Sequence, residues 1–173
     1  MFRKAVQNDI AAIAEIYAHI LELEDEVAPR TGWLKGIYPV EATAQAALVR
    51  DDLFVYEEDG KILASAIINQ TQVDVYADCE WSCDAADNEV MVLHTLTVEP
   101  AAKGRGIGSE FVAFYEACAR QSGCKTLRMD TNKNNTAARR LYAKLGYTEV
   151  GIVPCVFNGI PDVMLVCLEK NIT

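Results

Sequence analysis

Three glycines at alternate positions, Lys103-Gly104-Arg105-Gly106-Ile107-Gly108, follow an apolar run and precede Ile107, Phe111, Phe114 and Cys118 at helical spacing. A helix that starts there presents unpaired N–H groups and a partial positive charge, and residues without Cβ atoms let an anion approach the backbone closely. That is chemistry for a phosphate, although glycines also serve tight strand-to-helix corners. The spacing separates this turn from two common nucleotide motifs. A dinucleotide turn reads Gly-x-Gly-x-x-Gly, and after Gly104 and Gly106 the third glycine is replaced by Ser109. A P-loop needs Gly-Lys-Ser/Thr, a triplet this chain lacks.

Other side chains able to move protons or carry acyl groups lie on either side of the turn. Tyr142 falls on a helical face with Ala138, Leu141 and Leu145, where its plainest reading is a core aromatic with one satisfied hydroxyl. His94 sits in the strand-like run Leu93-His94-Thr95-Leu96-Thr97-Val98. A lone strand histidine is commonly a hydrogen-bonded core residue, yet imidazole, with pKa about 6.5, accepts protons near neutrality. Glu89 opens the same strand, where acids are often only solvated. Cys79 and Cys83 have no second His or Cys pair nearby to complete four zinc ligands, so no metal is expected. Cys124 and Cys155 offer thiols for a ping-pong route, but no neighbour marks either as activated.

These groups need a scaffold, and the periodicity of the chain outlines one. Phe2 to Val6 reads as a short strand, followed by a helix capped at Asn8 or Asp9 with Ile10, Ile13, Ala14, Tyr17 and Leu21 on one stripe. The helix ends in the acidic run Glu22-Leu23-Glu24-Asp25-Glu26, and a loop with Pro29, Gly32 and Gly36 follows. A second helix is expected from Pro39 to about Arg50. Residues 53–58 and 61–68 flank Asp59-Gly60, a hairpin signal. From Thr71 to Glu89 there are six acids and no Lys or Arg, compatible with a strand edge or a loop over the site. A strand from Val90 to Val98, the glycine turn, a helix to about Gln121 and a strand from Thr126 to Asp130 form a right-handed crossover, which makes the two strands parallel. A helix from Asn135 to Leu145, stopped by Gly146, and strands near 147–153 and 162–168 complete the order. With no internal repeat or linker, residues 1–173 are expected to form a single domain.

The turn Lys103-Gly104-Arg105-Gly106-Ile107-Gly108 resembles the Gln/Arg-x-x-Gly-x-Gly/Ala motif of the GCN5-related N-acetyltransferase superfamily, with Lys103 where Gln or Arg is usual. Independently, Asn135-Thr136-Ala137-Ala138-Arg139-Arg140-Leu141-Tyr142 and Leu145-Gly146-Tyr147 resemble its Asn-x-x-Ala-x-x-Leu/Phe-Tyr and Leu/Phe-Gly-Phe/Tyr signatures. The resemblance implies an α/β fold of the α+β type, the GNAT fold, with a central mixed twisted sheet of about six or seven strands flanked by about four helices. It implies acetyl-CoA as co-substrate. Lys103, Gly104, Arg105, Gly106, Ile107, Gly108 and Ser109 would hold the pyrophosphate, and the backbone of Leu96, Thr97 and Val98 would pair with the pantetheine arm. Asn135, Ala138 and Tyr142 fall on the cofactor side of the second motif, and Tyr142 would protonate the departing thiolate. The run Leu-His-x-Leu-x-Val is similar to the arylalkylamine N-acetyltransferases, which implies that His94 relays the amine's proton through water. Glu89 lies about one residue from where histone-type members carry a catalytic glutamate, which makes it the rival base. Direct attack in a ternary complex is expected rather than a ping-pong route.

Composition limits the partners. A net charge of −9 opposes affinity for nucleic acid or anionic membranes and favours cationic ligands. No export signal and no apolar run of membrane-spanning length is visible, and the six cysteines lack the close spacing of a secreted framework, so a cytoplasmic protein is expected. The acceptor remains open among a small amine, an amino acid and a protein N-terminus. A non-catalytic acyl-CoA sensor and a nucleotide-dependent phosphotransferase are the competing classes. Monomer and homodimer both remain open, an exposed final strand being one edge that a second copy would pair with.

Overall fold

Among the described residues, alternating and helical apolar patterns resolve into seven strands and four α-helices. The computed structural model describes residues 1–27 and 30–173; Pro29, in the predicted loop, lies outside them. The strands are β1 (Phe2–Lys4), β2 (Leu53–Glu58), β3 (Lys61–Asn69), β4 (Val90–Val98), β5 (Thr126–Asn132), β6 (Thr148–Phe157) and β7 (Ile160–Asn171). The helices are α1 (Ile10–Val27), α2 (Glu41–Val49), α3 (Ile107–Gln121) and α4 (Thr136–Lys144). The sheet is mixed, as the resemblance implies, and its strands run in the order β1-β2-β3-β4-β5-β7-β6. The chain forms two compact units.

One unit draws on the N-terminal stretch, Trp33–Ile68 and His94–Phe114. Its core joins Ile10, Ile13 and Tyr17 of α1 to Ala44 and Ala47 of α2 and to Leu53, Val55 and Ile67 of the β2–β3 hairpin. The hairpin turns at Asp59 and Gly60, with φ of 50° and 74°, the left-handed pair that matches strand twist. Asp9 does not cap α1 directly. It ends a short 3₁₀ turn, Gln7–Asp9, where its carboxylate accepts from Val6 N at 2.8 Å and pairs with Arg3 at 2.6 Å. α2 begins two residues after Pro39, with Val40 as its first flanking residue.

The other unit comprises residues 30–32, Asn69–Leu93 and Tyr115–Thr173. Val90–Leu93 of β4 pairs in parallel with Thr126–Met129 of β5, as the crossover requires. β5 is antiparallel to β7, and β7 to β6. The final strand is therefore internal, and the expectation of an exposed last strand is corrected: Asn158 and Gly159, with φ of 49° and 83°, fold β7 back inside β6, which becomes the edge. Tyr115 OH reaches Met91 O at 2.6 Å and Arg128 O at 3.1 Å, carbonyls of the two parallel strands.

Residues 71–89 form no strand; they contain two 3₁₀ turns, Asp74–Asp78 and Asp87–Glu89. A buried ion pair holds the segment. Arg128 stands opposite Glu169 in the β5–β7 register, and its guanidinium donates to Glu169 Oε1 at 3.2 Å, Gln72 Oε1 at 2.6 Å and Cys83 O at 3.0 Å. The ring of Trp81 covers it, 4.1 Å from centroid to guanidinium carbon. Glu169 Oε2 in turn accepts from Ser82 N at 3.0 Å and Cys83 N at 3.1 Å. Because both charges are out of water, removing one strands the other. Glu169→Gln is expected to lower the unfolding free energy by about 3–5 kcal/mol in urea titrations, with Trp81 fluorescence changing before global unfolding.

Candidate active site

The predicted site residues fall in both units. The first holds His94, Leu96, Thr97, Val98 and the whole glycine turn, whereas the second holds Glu89, Asn135, Ala138 and Tyr142.

In the first unit, β4 ends at Val98, and a 3₁₀ turn, Pro100–Ala102, leads into the glycine segment. Glu99 caps that turn by accepting from Ala101 N at 3.3 Å. Gly104 and Gly106 have φ of 85° and 84°, and a Cβ placed on either meets nothing within 4 Å among the described residues. Conformation demands glycine here, not crowding, and the space beside the backbone stays open. Glu110 N bonds Gly106 O at 3.0 Å, so α3 begins at once, and the N–H groups of its first turn lack intrahelical acceptors. Backbone donors, a helix N-terminus and an open face fit a pyrophosphate. Arg105 is drawn aside to Glu58 as an ion pair, while Lys103 is exposed.

β4 itself is distorted at Thr95, a β-branched residue with φ of 50°. Such a backbone costs about 1–3 kcal/mol and persists only where its surroundings hold it. The hydroxyl of Tyr38, from the loop before α2, contacts Thr95 Oγ1. Thr97 turns its side chain inward to Ser65 Oγ at 2.8 Å, and both residues are buried, so only the backbone of Thr97 is left for a ligand. His94, Leu96 and Val98 are half-buried.

In the second unit, Asn135 caps α4: its Oδ1 accepts from Ala138 N at 3.2 Å. Gly146, with φ of 86°, stops the helix, and Lys170 Nζ meets the Leu145 carbonyl at 2.8 Å. α4 thereby holds Tyr142, 7% exposed, edge-to-face with Tyr147. Burial raises the Tyr142 phenol well above its ordinary pKa, and the charge of Asp130 adds to the effect. The phenol therefore stays protonated. Glu89 forms an ion pair with Lys125, and that hydrogen bond lowers its pKa, the direction opposite to the one a base near neutrality needs.

Two groups escaped sequence reasoning. Asp130, on β5, is half-buried by surface area, but its carboxyl is enclosed by protein, and desolvation pushes its pKa up to about 6. Tyr76, buried in the acidic segment, donates to Asp130 Oδ2 at 2.8 Å. An acid within the buried strand Thr126-Leu127-Arg128-Met129-Asp130 was the available signal for the first; Tyr76 had none. At Gly32, whose φ of 74° favours glycine, a Cβ would come within 2.3 Å of Asn132 Nδ2, so this loop residue sits against the end of β5. Cys124 and Cys155 have thiols raised by burial, which disfavours the nucleophilic thiolate. Cys83 Sγ accepts from Asn171 at 3.5 Å, whereas Cys79 bonds Cys167. Among the described residues no helix is long and apolar enough to cross a membrane.

The uncharacterised N-acetyltransferase YhfO of Bacillus subtilis is 26% identical over 149 residues, 85% of this chain and 89% of that protein. An uncharacterised N-acetyltransferase of Methanocaldococcus jannaschii is 28% identical over 103 residues, 60% of this chain, and the match spans 42% of the archaeal protein. A GNAT-family acetyltransferase from Streptococcus agalactiae shares the fold with a TM-score of 0.78 at 22% identity, covering 100% of this chain and 95% of its own. YncA of Salmonella typhimurium, a putative acetyltransferase solved with its cofactor acetyl-CoA, matches with a TM-score of 0.70 at 21% identity, over 99% of this chain and 92% of its own. The family model described as Acetyltransferase (GNAT) family matches residues 16–147, and the chain belongs to that family.

Proposed function

We propose that this acetyltransferase moves an acetyl group from acetyl-CoA to a primary amine by direct attack within a ternary complex, in the cytoplasm and without a metal. The observation that carries the reading is the left-handed, open-faced pair Gly104 and Gly106 at the start of α3, which suits an incoming pyrophosphate. Acetyl-CoA in the structural neighbour YncA supports the same cofactor. Lys103 to Ser109 would hold the pyrophosphate, and the backbone of Leu96, Thr97 and Val98 the pantetheine arm.

The chemistry then asks for a neutral amine and a protonated leaving group. An alkyl ammonium with pKa about 10.4 loses its proton near neutrality at a cost of about 4–5 kcal/mol, so an acceptor is required. His94, half-buried on β4, is suited to relay that proton through water. Tyr142 keeps its phenolic proton across the working range and donates it to the thiolate sulfur as the C–S bond breaks. The depressed thiolate character of Cys124 and Cys155 supports direct attack over a ping-pong route. The net charge of −9 favours a cationic acceptor, whether a small amine, an amino acid or a peptide N-terminus.

An amine panel decides the class: thiol release from acetyl-CoA is expected with at least one of 2-phenylethylamine, spermidine and an alanine-initiated peptide. Tight CoA binding without transfer would indicate a sensor. Gly106→Ala places a Cβ on a left-handed backbone and is expected to weaken acetyl-CoA binding about ten-fold by calorimetry. Tyr142→Phe is expected to reduce kcat about 100-fold while leaving acetyl-CoA affinity within about two-fold. In pH–rate profiles, Glu89→Gln should keep the acidic limb, because pairing with Lys125 moves that carboxylate below the working range. His94→Ala should lower kcat about 100-fold.

A further inference from the structure

The six cysteines are all free, and two of them touch. Cys167 stands in the middle of a row across three strands, paired with Asp130 of β5 on one side and Gly151 of β6 on the other. Residues directly opposite one another in antiparallel strands share a face of the sheet. The segment 71–89 lies over that face. Tyr76 OH donates to Asp130 Oδ2 at 2.8 Å, and the N–H of Cys79 bonds the Tyr76 carbonyl at 3.2 Å. The sulfur of Cys79 then sits over β6, 3.7 Å from where a Cβ would stand on Gly151. There it bonds the Cys167 thiol.

The two sulfurs differ in access. Cys79 is half-buried and meets solvent, whereas Cys167 is fully buried. Burial raises the Cys167 thiol, and its hydrogen bond with Cys79 adds to the effect, so Cys167 keeps its proton and is shielded from an oxidant in solution. The neighbouring thiols are engaged elsewhere along the strands: Cys155 lies farther along β6, opposite Val163, and Cys83 Sγ accepts from Asn171 at 3.5 Å. What holds the segment to the sheet is otherwise non-covalent, namely Gln72, Ser82 and Cys83 on the Arg128–Glu169 pair and Tyr76 on Asp130.

We propose that Cys79 and Cys167 are a reversible disulfide site, a redox clasp that fastens the end of the Asp74–Asp78 turn to β7. The oxidant is a hydroperoxide. The Cys79 sulfur, having lost its proton, attacks one oxygen of hydrogen peroxide; an S–O bond forms, the O–O bond breaks, and hydroxide takes up the thiol proton as water. The Cys167 sulfur attacks the resulting sulfenic sulfur, which is already in contact with it. An S–S bond forms, the S–O bond breaks, and the departing hydroxide takes the Cys167 proton as a second water. Two thiols and one peroxide become one disulfide and two waters; the sulfurs give up two electrons and the peroxide takes them. A small dithiol reverses the step by exchange, becoming a disulfide itself. Because the bond joins positions far apart in the chain, it restricts the unfolded chain and the local opening of the segment alike.

The test is mass spectrometry of the full chain after one equivalent of hydrogen peroxide and an alkylating quench. Cleavage after Glu80 separates Cys79 from Cys83, and cleavage after Phe157 separates Cys155 from Cys167. One cross-link, Cys79 to Cys167, is expected, removed by dithiothreitol. In the oxidised chain, amide hydrogen exchange over residues 71–83 should slow about ten-fold and Tm should rise by about 5–15 °C. Cys167→Ala should leave Cys79 as a sulfenic acid that dimedone labels, whereas Cys79→Ser, at a half-buried position, should leave Cys167 unlabelled and the chain without a cross-link. Cys155→Ala should cross-link as the wild type does. A cross-link through Cys83 or Cys155, over-oxidation of Cys79 in the wild type without a cross-link, or dimedone labelling of Cys167 in Cys79→Ser overturns the proposal. A Cys79–Cys167 bond that leaves exchange over 71–83 unchanged overturns the clasp.

Discussion

A guanidinium inside a sheet cannot be left unpaired, and much of the second unit is arranged around that constraint. Arg128 spends its donors on Glu169, Gln72 and the Cys83 carbonyl, and its flat face on Trp81. Residues 71–89 have no apolar stripe to bury, so polar contacts to this one side chain supply the order that helices elsewhere obtain from periodic burial. The exchange is specific: Ser82 and Cys83 give their backbone N–H groups to Glu169 because both oxygens of a buried carboxylate need partners. Tyr76 inherits its position from this arrangement through Trp81.

Burial pushes several groups of the unit toward the neutral form, but its chemical meaning differs by group. For Cys124, Cys155 and Cys167 it means thiols that keep their protons. For Tyr142 it means a phenol that keeps its proton, and for Asp130 a carboxylate more willing to take one. A phenol and a carboxyl that both hold their protons more tightly than in water therefore arise from a single physical cause.

Much of the scaffold was legible in the sequence. Val90–Val98 and Ile107–Gln121 were outlined because a continuous apolar strand and a one-sided helix have different periods, and the glycine turn marks the boundary. Asp59-Gly60 announced its hairpin. Asn158-Gly159 carries the same kind of signal, yet the strands beside it were drawn too short and the edge was misplaced, because β7 alternates poorly where both faces are covered. The glycine turn and the Asn135 to Tyr147 motif were readable as a family signature. The acid–base environment was not. Asp130 is surrounded by residues from the 71–89 segment, α4, β6 and β7, and desolvation by partners so distant in the chain leaves no local pattern. The left-handed backbone at Thr95 was equally silent, since a threonine in a strand is ordinary.

Among the described residues, nothing lies within 4 Å of where a Cβ would stand on Gly104 or Gly106, so their backbone is bare on that side. Whatever fills that space adds its own free energy to the folded chain alone. A ligand held there at about 100 times its dissociation constant would raise the unfolding free energy by about 2.7 kcal/mol, a sizeable share of a typical domain's margin. The protein's resistance to heat and proteases in a cell would then follow the local supply of acyl donor, so that metabolic state sets abundance as well as rate.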